Sequence, residues 1–127
     1  MPLVRIDTLS ARTVDQLGAI GDGVHRAMVE TIGIPQADRF QVLSAHAPGG
    51  LVFDPAYLGI RRTDGIVFVQ ITMSVGRTVE QKKALYSAVV RNLAAHPGVR
   101  PEDVFINLVE VVKEDWSFGN GIAQYAD

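Results

Sequence analysis

Apolar residues along this chain follow two spacings, one typical of strands and one typical of helices. Short apolar segments at Leu3 to Leu9 and Ile66 to Met73 predict two β-strands. After each strand, apolar residues recur every three or four positions, which predicts a helix with one buried face. A second strand follows each helix, at 40–45 and 104–111. The apolar helical positions are Val14, Leu17, Ile20, Val24, Met28 and Ile32 in the first helix and Val79, Leu85, Val89 and Leu93 in the second.

The same short motif opens both predicted helices. Arg-Thr-Val followed by an acidic residue and glutamine occurs at 12–16 and again at 77–81, which is 65 positions later. Several different kinds of residue match at this offset, which indicates an internal duplication of the chain. Further matched pairs at this offset are Gly33 with Gly98, Asp38 with Asp103 and Phe40 with Phe105.

The ends of both helices carry recognisable signals. Thr13 and Thr78 suit the N-cap position, and the glutamine three residues after each completes the pattern of a capping box. Gly33 and Gly98 stand where a helix often ends on a left-handed residue. Helix capping alone therefore explains the threonine and the glutamine of the repeated motif, and no catalytic role is needed for either residue.

The predicted fold is α/β (α+β), with two tandem strand–helix–strand units at 1–46 and 66–112 in a single domain. Strands joined through a helix are expected to be parallel, so the units together predict a four-stranded mixed sheet with both helices on one face. Strand sequences such as "IVFVQI" are apolar on both sides, which predicts self-association over the other face. The segment 46–65 is expected to be a loop with a short strand, and the tail 116–127 a small hairpin.

Composition narrows the class of protein. The 127 residues are 47% hydrophobic and 20% charged, as in an ordinary globular domain. A net charge of −2 without a Lys/Arg cluster argues against a nucleic-acid or anionic membrane partner. The chain has no cysteine, and no apolar run reaches the roughly 18–20 residues of a membrane span. We therefore expect a cytoplasmic protein.

Pro2 breaks the symmetry of the repeat. It falls opposite Val67, a strand position of the second unit. Removal of Met1 would turn Pro2 into a secondary amine, and an α-amino group has a pKa of about 8, close enough to neutrality for an acid, a base or an iminium-forming nucleophile. Most Met-Pro starts have no catalytic meaning, but here the proline leads directly into a predicted core strand.

Several of these segments together resemble the tautomerase superfamily, whose members share an amino-terminal proline and a strand–helix–strand building block. "PLVRIDTLSARTVDQ" and "FGNG" are similar to 4-oxalocrotonate tautomerase. The doubled unit most resembles the malonate semialdehyde decarboxylases, through "DGVHRAMVETIGIPQADRFQ", "GRTVEQKK" and "DWSFGNG". The resemblance covers almost the whole chain.

The resemblance implies a homotrimer that acts on a small oxo acid without a cofactor or metal, converting malonate semialdehyde to acetaldehyde and carbon dioxide. Pro2, Asp38 in "PQADRF" and Arg77 in "GRTVEQ" match the family's catalytic positions. Arg77 would bind the carboxylate, and Trp116 and Phe118 would form a dry wall. The better-known decarboxylase pattern has a second arginine two places before Arg77, whereas this chain has Val75 there, in "VGR", and so resembles a branch of the family with a single arginine at this point. That departure bears on the identity of the substrate.

Other readings stay open. The same fold in a tautomerase, hydratase or dehalogenase would use Pro2 as base or acid on an enol, acetylenic or haloacrylic acid. A trimeric binding protein without turnover, as macrophage migration inhibitory factor partly is, is a further alternative.

Arg12, which matches a substrate arginine of single-unit tautomerases, and His25, which matches a functional histidine of a related dehalogenase, are additional candidates for substrate binding. Each has a structural alternative, as does Arg77, which could simply pair with Glu80. Asp103 fits a turn-forming role before a strand. The loop histidines His46 and His96 have no spacing typical of a metal site.

Overall fold

The computed structural model describes residues 2–9 and 12–126, and these form two strand–helix–strand units followed by an irregular tail. Each strand or helix begins and ends within about two residues of its predicted position. Three short 3₁₀ turns lie at Tyr57–Gly59, Pro101–Asp103 and Lys113–Asp115. The main elements are β1 Leu3–Leu9, α1 Val14–Ile32, β2 Gln41–His46, β3 Val67–Ser74, α2 Val79–Ala95 and β4 Val104–Val111.

The four strands form one mixed sheet, as predicted, and their order is β2-β1-β3-β4. The strands of each unit are parallel, β1 with β2 and β3 with β4. The two units meet through an antiparallel pair, in which Leu3 lies opposite Thr72 and Thr8 opposite Val67. Because β1 and β3 run in opposite directions, the start of β1 lies beside the end of β3. This pairing decides which residues share an end of the sheet.

Both helices cover one face of the sheet, and the core lies between. Alternate residues of the central strands point into it, including Val4 and Ile6 of β1. Burying side chains of this size contributes about 1.5–3 kcal/mol each. The helices approach closely at Gly23, where a Cβ atom would lie 2.9 Å from Leu93 Cδ2. The central core residues of β3 and the helices are Val67, Val69, Ile71, Met73, Ile20, Val24, Met28, Leu85, Val89 and Leu93.

Val14 and Val79 depart from the expected apolar face of their helices. They are 83% and 60% exposed. Each is the first residue of its helix, next to the cap and therefore at the margin of the sheet rather than over it. The first buried residues are Ile20 in α1 and Leu85 in α2, each six positions after the start of its helix.

Both N-terminal caps form as predicted. The Gln16 amide donates to Thr13 Oγ1 at 3.1 Å, and the Gln81 amide donates to Thr78 Oγ1 at 3.1 Å. Each glutamine side chain returns a bond to the threonine amide, so both capping boxes are complete. The repeated motif thus has the same local structure in both units.

The two helices end differently, which corrects one prediction. Gly33 ends α1 in the left-handed region at φ 70°. Gly98 does not end α2, which stops at Ala95 with His96 extended. Pro97 disfavours helical geometry at the residue before it, so α2 ends earlier than its repeat partner. Gly98 still adopts φ 105°, and its amide donates to the Leu93 carbonyl at 2.9 Å.

The uncovered face of the sheet is less apolar than expected. Leu3, Phe105 and Val109 are exposed, and Phe68 packs against Phe105 at 5.2 Å between ring centroids. Polar side chains interrupt them. His46 Nε2 lies 2.6 Å from Asp7 Oδ1, and Gln70 Nε2 donates to Asn107 Oδ1 at 3.2 Å. The face is a mixture of aromatic, aliphatic and hydrogen-bonded polar groups.

Two irregular segments also differ from expectation. Residues 47–66 contain a 3₁₀ turn but no strand. Residues 116–126 form a loop instead of a hairpin, since none of them pairs as a strand, and Gly119, Asn120 and Gly121 all have positive φ angles. The Gln124 side chain closes this loop, accepting from the Phe118 amide at 2.9 Å and donating to the Gly119 carbonyl at 3.0 Å. Within residues 2–9 and 12–126, no helix is long and apolar enough to cross a membrane.

Candidate active site

Pro2 lies in a pocket at one end of the sheet. The proline is buried, directly before β1, and the pocket of about 210 Å³ is lined by residues from three separate parts of the chain. A pocket of this volume suits a small organic acid. Met1 lies outside the described residues. The lining residues are Pro2, Leu3, Phe40, Trp116, Ser117 and Phe118.

An aromatic cluster forms one wall of the pocket. Trp116 and Phe118 stack with ring centroids 5.5 Å apart, and Tyr125 meets Phe118 edge-on at 4.7 Å. The irregular tail after β4 carries all three rings, and the Gln124 bonds hold it in its loop. The predicted wall residues therefore line the pocket together with Pro2, and Tyr125 contacts one of them, Phe118.

Arg77 reaches the same end of the sheet from the turn after β3. Its Nη1 donates to the Ser74 carbonyl at 3.3 Å and its Nη2 to the Ile32 carbonyl at 3.4 Å. Both bonds are long, and they use two of the five guanidinium N–H groups. Arg77 thus contacts backbone carbonyls rather than Glu80. Among the described residues, no carboxylate lies within ion-pair distance of it, so its charge is available to an anion.

Ser74 connects Arg77 to the aromatic wall. While its carbonyl accepts from Arg77, its hydroxyl accepts from Trp116 Nε1 at 3.0 Å. A larger cavity of about 530 Å³ lies alongside, lined by Ser74, Val75, Val112, Lys113, Glu114 and Ala126. Val75, which stands where the better-known decarboxylase pattern has a second arginine, lines this cavity.

Asp38 lies in the turn that leads into β2. Its amide donates to the Pro35 carbonyl at 3.0 Å, and its side chain is half-buried. Two residues later, the Phe40 carbonyl accepts from the Val4 amide at 3.0 Å, which joins this turn to the start of β1. The parallel pairing of β1 with β2 therefore carries the Asp38 segment to the pocket end of the sheet.

Arg12 lies at the opposite end of the sheet. It follows the last residue of β1, roughly 20 Å along the strand from Pro2 at about 3.3 Å per residue. Its Nη2 donates to the Gly65 carbonyl at 2.6 Å. Burial lowers the pKa of Arg12, and the nearby Asp103 carboxylate opposes that shift. Within one chain, the structure does not bring Arg12 to the Pro2 pocket.

His25 is packed inside the protein. It is 2% exposed on α1, and its Nε2 lies 2.9 Å from the Gln36 carbonyl. A carbonyl only accepts, so Nε2 carries the proton and donates. His25 is absent from the residues that line the pocket, and its contact is with the backbone two residues before Asp38. In this structure it supports that turn.

Five residues at or beside the pocket have no predicted role in the site: Leu3, Phe40 and Ser117, which line it, and Ser74 and Tyr125, which contact its aromatic wall. Phe40 had a usable signal, because parallel pairing of β1 with β2 sets the residue before one strand beside the residue before the other. Tyr125 and Ser74 had none. Their positions depend on the loop of the tail and on the end of β3.

The arrangement combines a proline and half-buried aromatic rings in the pocket wall with a guanidinium at the same end of the sheet that has donors to spare. Such a site suits a small anion with a reactive carbonyl or double bond, because the guanidinium could bind the charge of the anion while the proline acts on the reacting part. Within the described parts of the chain, no cluster of three histidine, aspartate or glutamate side chains is arranged to hold a metal ion.

Comparison with known sequences identifies relatives over the full length. Two family profiles described as tautomerase enzyme match residues 2–61 and 38–119. The first of these matches begins at Pro2. Probable tautomerase YusQ of Bacillus subtilis (strain 168) is 42% identical over 124 residues, which cover 98% of each chain.

Comparison with solved structures gives the same two-unit fold. A malonate semialdehyde decarboxylase inhibited by 3-bromopropiolate is 44% identical with a TM-score of 0.91, covering 97% of this chain and 93% of its own. A second such decarboxylase, solved as wild type, with alanine for its first-position proline and in inactivated form, is 36% identical with a TM-score of 0.89, covering 97% and 95%. Its structures are described as a basis for decarboxylase and hydratase activities. A fused 4-OT solved as a symmetric trimer is 26% identical with a TM-score of 0.76, covering 94% of each chain.

Proposed function

Because the chain belongs to the tautomerase family, we propose that it is a cofactor-independent enzyme that decarboxylates a small 3-oxo acid, with malonate semialdehyde as the favoured substrate. The observation that carries the proposal is that Pro2 and Arg77 lie at the same end of the sheet. The proline lines a small aromatic pocket, and the arginine is linked to the Trp116 wall of that pocket through Ser74. Two decarboxylase structures with high overall similarity support the choice of reaction.

Pro2 is the proposed acid. Removal of Met1 would leave a secondary amine that is substantially protonated at neutral pH, since an α-amino group has a pKa of about 8. Its N–H would polarise the aldehyde oxygen, or the amine would add to the carbonyl carbon and form an iminium. Either route makes the carbonyl a better electron acceptor. The burial of Pro2 and the family match that begins at this residue support its role.

Arg77 is the proposed carboxylate binder. Its planar fork would hold the substrate carboxylate so that the bond to the departing carbon overlaps the carbonyl. The electrons of that bond move into the carbonyl, carbon dioxide leaves, and a proton added at the remaining carbon gives acetaldehyde. The dry Trp116 and Phe118 wall would favour a step in which the negative charge disperses. Asp38 would favour the protonated form of the amine or orient a water molecule.

A second candidate function is tautomerisation or hydration at the same site. The observation that favours it is the name of the 42% identical relative, a probable tautomerase, together with the hydratase activity described for the second decarboxylase. A tautomerase requires a neutral Pro2 that removes a proton. The rate of decarboxylation should therefore fall as the pH rises through the pKa of the amine, whereas the rate of tautomerisation should rise there.

The test is an assay for acetaldehyde and carbon dioxide from malonate semialdehyde. We expect Pro2→Ala and Arg77→Ala each to lower kcat/KM by about 100-fold or more, the range seen when a group that acts in the transition state is removed. Arg91→Ala is the matched control, because Arg91 is an exposed helix residue paired with Glu30 at 3.4 Å. Mass spectrometry of the untagged protein should show that Met1 is missing. Wild-type protein that does not turn over malonate semialdehyde, or active protein that retains Met1, would contradict the proposal.

We also propose that the chain forms a homotrimer. The support is the partly apolar uncovered face of the sheet, with Leu3, Phe105 and Val109 exposed, and the symmetric trimer of the 26% identical fused 4-OT. Sedimentation equilibrium of the untagged protein measures this state directly, and a monomer at micromolar concentration would contradict it.

A further inference from the structure

Ser74 contacts two elements of the site at once. It is the last residue of β3, and its position is fixed by the ladder with β4, where it pairs with Val111. The next amide, that of Val75, donates to the Val111 carbonyl at 2.9 Å and continues the ladder past the strand end. Ser74 is therefore held by the sheet, while the groups that it contacts lie on less regular segments.

Trp116 depends on this contact for its orientation. The indole N–H only donates, and Ser74 Oγ accepts it at 3.0 Å. Trp116 follows a short 3₁₀ turn in the irregular tail, and its ring also stacks on Phe118. Stacking leaves a ring free to slide, whereas a hydrogen bond to a strand residue fixes its in-plane direction. The Ser74 hydroxyl thus supplies the orientation that the tail does not.

The internal repeat shows that the fold does not need this hydroxyl. The position equivalent to Ser74 in the first unit is Leu9, which also ends its strand. Leucine has no group that could accept an indole N–H. Since the same strand end is built with leucine in one unit and serine in the other, the serine is explained by its contact with Trp116 rather than by the strand.

We propose that Ser74 is a positioning residue for the reaction of this site, which sets the Trp116 wall relative to the Arg77 guanidinium. Its hydroxyl orients the ring and its carbonyl holds Nη1, so the wall and the anion-binding group face the same bound molecule. The inference rests on the proposed function.

The two contacts of Ser74 separate in a simple experiment. Ser74→Ala removes the hydroxyl and keeps the carbonyl, so the Arg77 contact remains while the Trp116 contact is lost. We expect kcat for malonate semialdehyde to fall about five- to tenfold, as for the loss of one neutral hydrogen bond, while KM changes less than about twofold. Ser74→Thr keeps a hydroxyl on a strand-compatible residue and should restore most of kcat. Ser87→Ala, an exposed serine on α2, is the matched control.

Trp116 also reports on its own position. It is the single tryptophan of the chain, so the tryptophan near-ultraviolet circular dichroism and fluorescence come from this ring alone. Ser74→Ala should weaken the circular dichroism band and increase acrylamide quenching, and Ser74→Thr and Ser87→Ala should not. A Ser74→Ala protein with unchanged circular dichroism, or with unchanged kcat, would overturn the inference. Wild-type protein without turnover would instead contradict the proposed function, and the spectroscopic comparison would still decide whether Ser74 orients the ring.

Discussion

The two ends of the sheet are built from equivalent residues but have different contacts. At one end lie Arg77, from the second unit, and Asp38, from the first; their repeat partners Arg12 and Asp103 lie at the other end. The antiparallel pairing of β1 with β3 causes this exchange, because each arginine follows one central strand and reaches the end where the other strand begins. The duplication therefore places one arginine and one aspartate at each end of the sheet.

The end with Arg12 is closed by the chain itself. Asp103 is 1% exposed and accepts from the Thr63 amide at 2.7 Å and from the Thr63 hydroxyl at 2.6 Å. Arg12 donates to the Gly65 carbonyl. Residues 63–65, just before β3, thus contact both side chains. Asp103 accepts from the Thr63 amide, and Arg12 donates to the Gly65 carbonyl.

The end with Pro2 contains a pocket instead. In the repeat, Pro2 is the equivalent of Val67. The aromatic tail forms one wall of the pocket, and within the described residues the bonds of Arg77 are long ones to two backbone carbonyls. A duplicated motif therefore does not by itself reveal which of its copies lies beside a pocket. What the neighbouring segments do at each end decides it.

The largest expected difference between the two ends is the effect of their acids on stability. Asp103→Ala should lower the free energy of unfolding by about 3–4 kcal/mol, because the Thr63 donors and the Arg12 charge would lose a buried partner. Asp38→Ala should cost about 1 kcal/mol, since Asp38 is half-buried. Urea unfolding followed by far-ultraviolet circular dichroism measures both. Equal losses would mean that the two ends are equally structural.

The two arginines should also differ in their contribution to the free energy of unfolding, in the same direction as the two acids but by less. Arg12→Ala should lower the free energy of unfolding by about 2–3 kcal/mol, because its short bond to the Gly65 carbonyl is charge-assisted and half-buried. Arg77→Ala should cost about 1 kcal/mol or less, since its bonds are 3.3 and 3.4 Å long. Thermal unfolding of the two variants beside Arg91→Ala makes the comparison. A larger loss for Arg77→Ala would contradict the assignment of the structural role to Arg12.

Much of the fold could be predicted from the sequence because its signals are local. The capping boxes at Thr13 and Thr78 involve residues three positions apart, and the strands follow short apolar segments. The repeat added the pairing within each unit. Gly98 is the instructive exception: the repeat predicted a helix end there, and a neighbouring proline moved it.

The site was predictable only in part. The resemblance named Pro2, Asp38, Arg77, Trp116 and Phe118, and also Arg12 and His25, which do not line the pocket. The contacts of all these residues depend on non-local geometry. Which end Arg12 and Arg77 reach follows from the antiparallel register of β1 with β3, which no single segment specifies. The tail loop that carries the aromatic wall is closed by one glutamine side chain, and a Gly-x-Gly sequence is equally compatible with a hairpin.

The smallest expected difference lies in the motif that the two units share. Thr13→Ala and Thr78→Ala should each lower the free energy of unfolding by about 1 kcal/mol, the usual cost of losing an N-cap. The reason is that both hydroxyls accept from the glutamine amide at 3.1 Å in otherwise identical capping boxes. The two caps share no partner residue, so the double variant should lose the sum of the single losses. Urea unfolding of the single and double variants gives the comparison, and Thr72→Ala, on the uncovered face of β3, is a threonine control outside any cap. Unequal cap losses would show that the asymmetry of the two ends extends into the helix starts; equal losses would confine it to the acid, the arginine and the segment that each one meets.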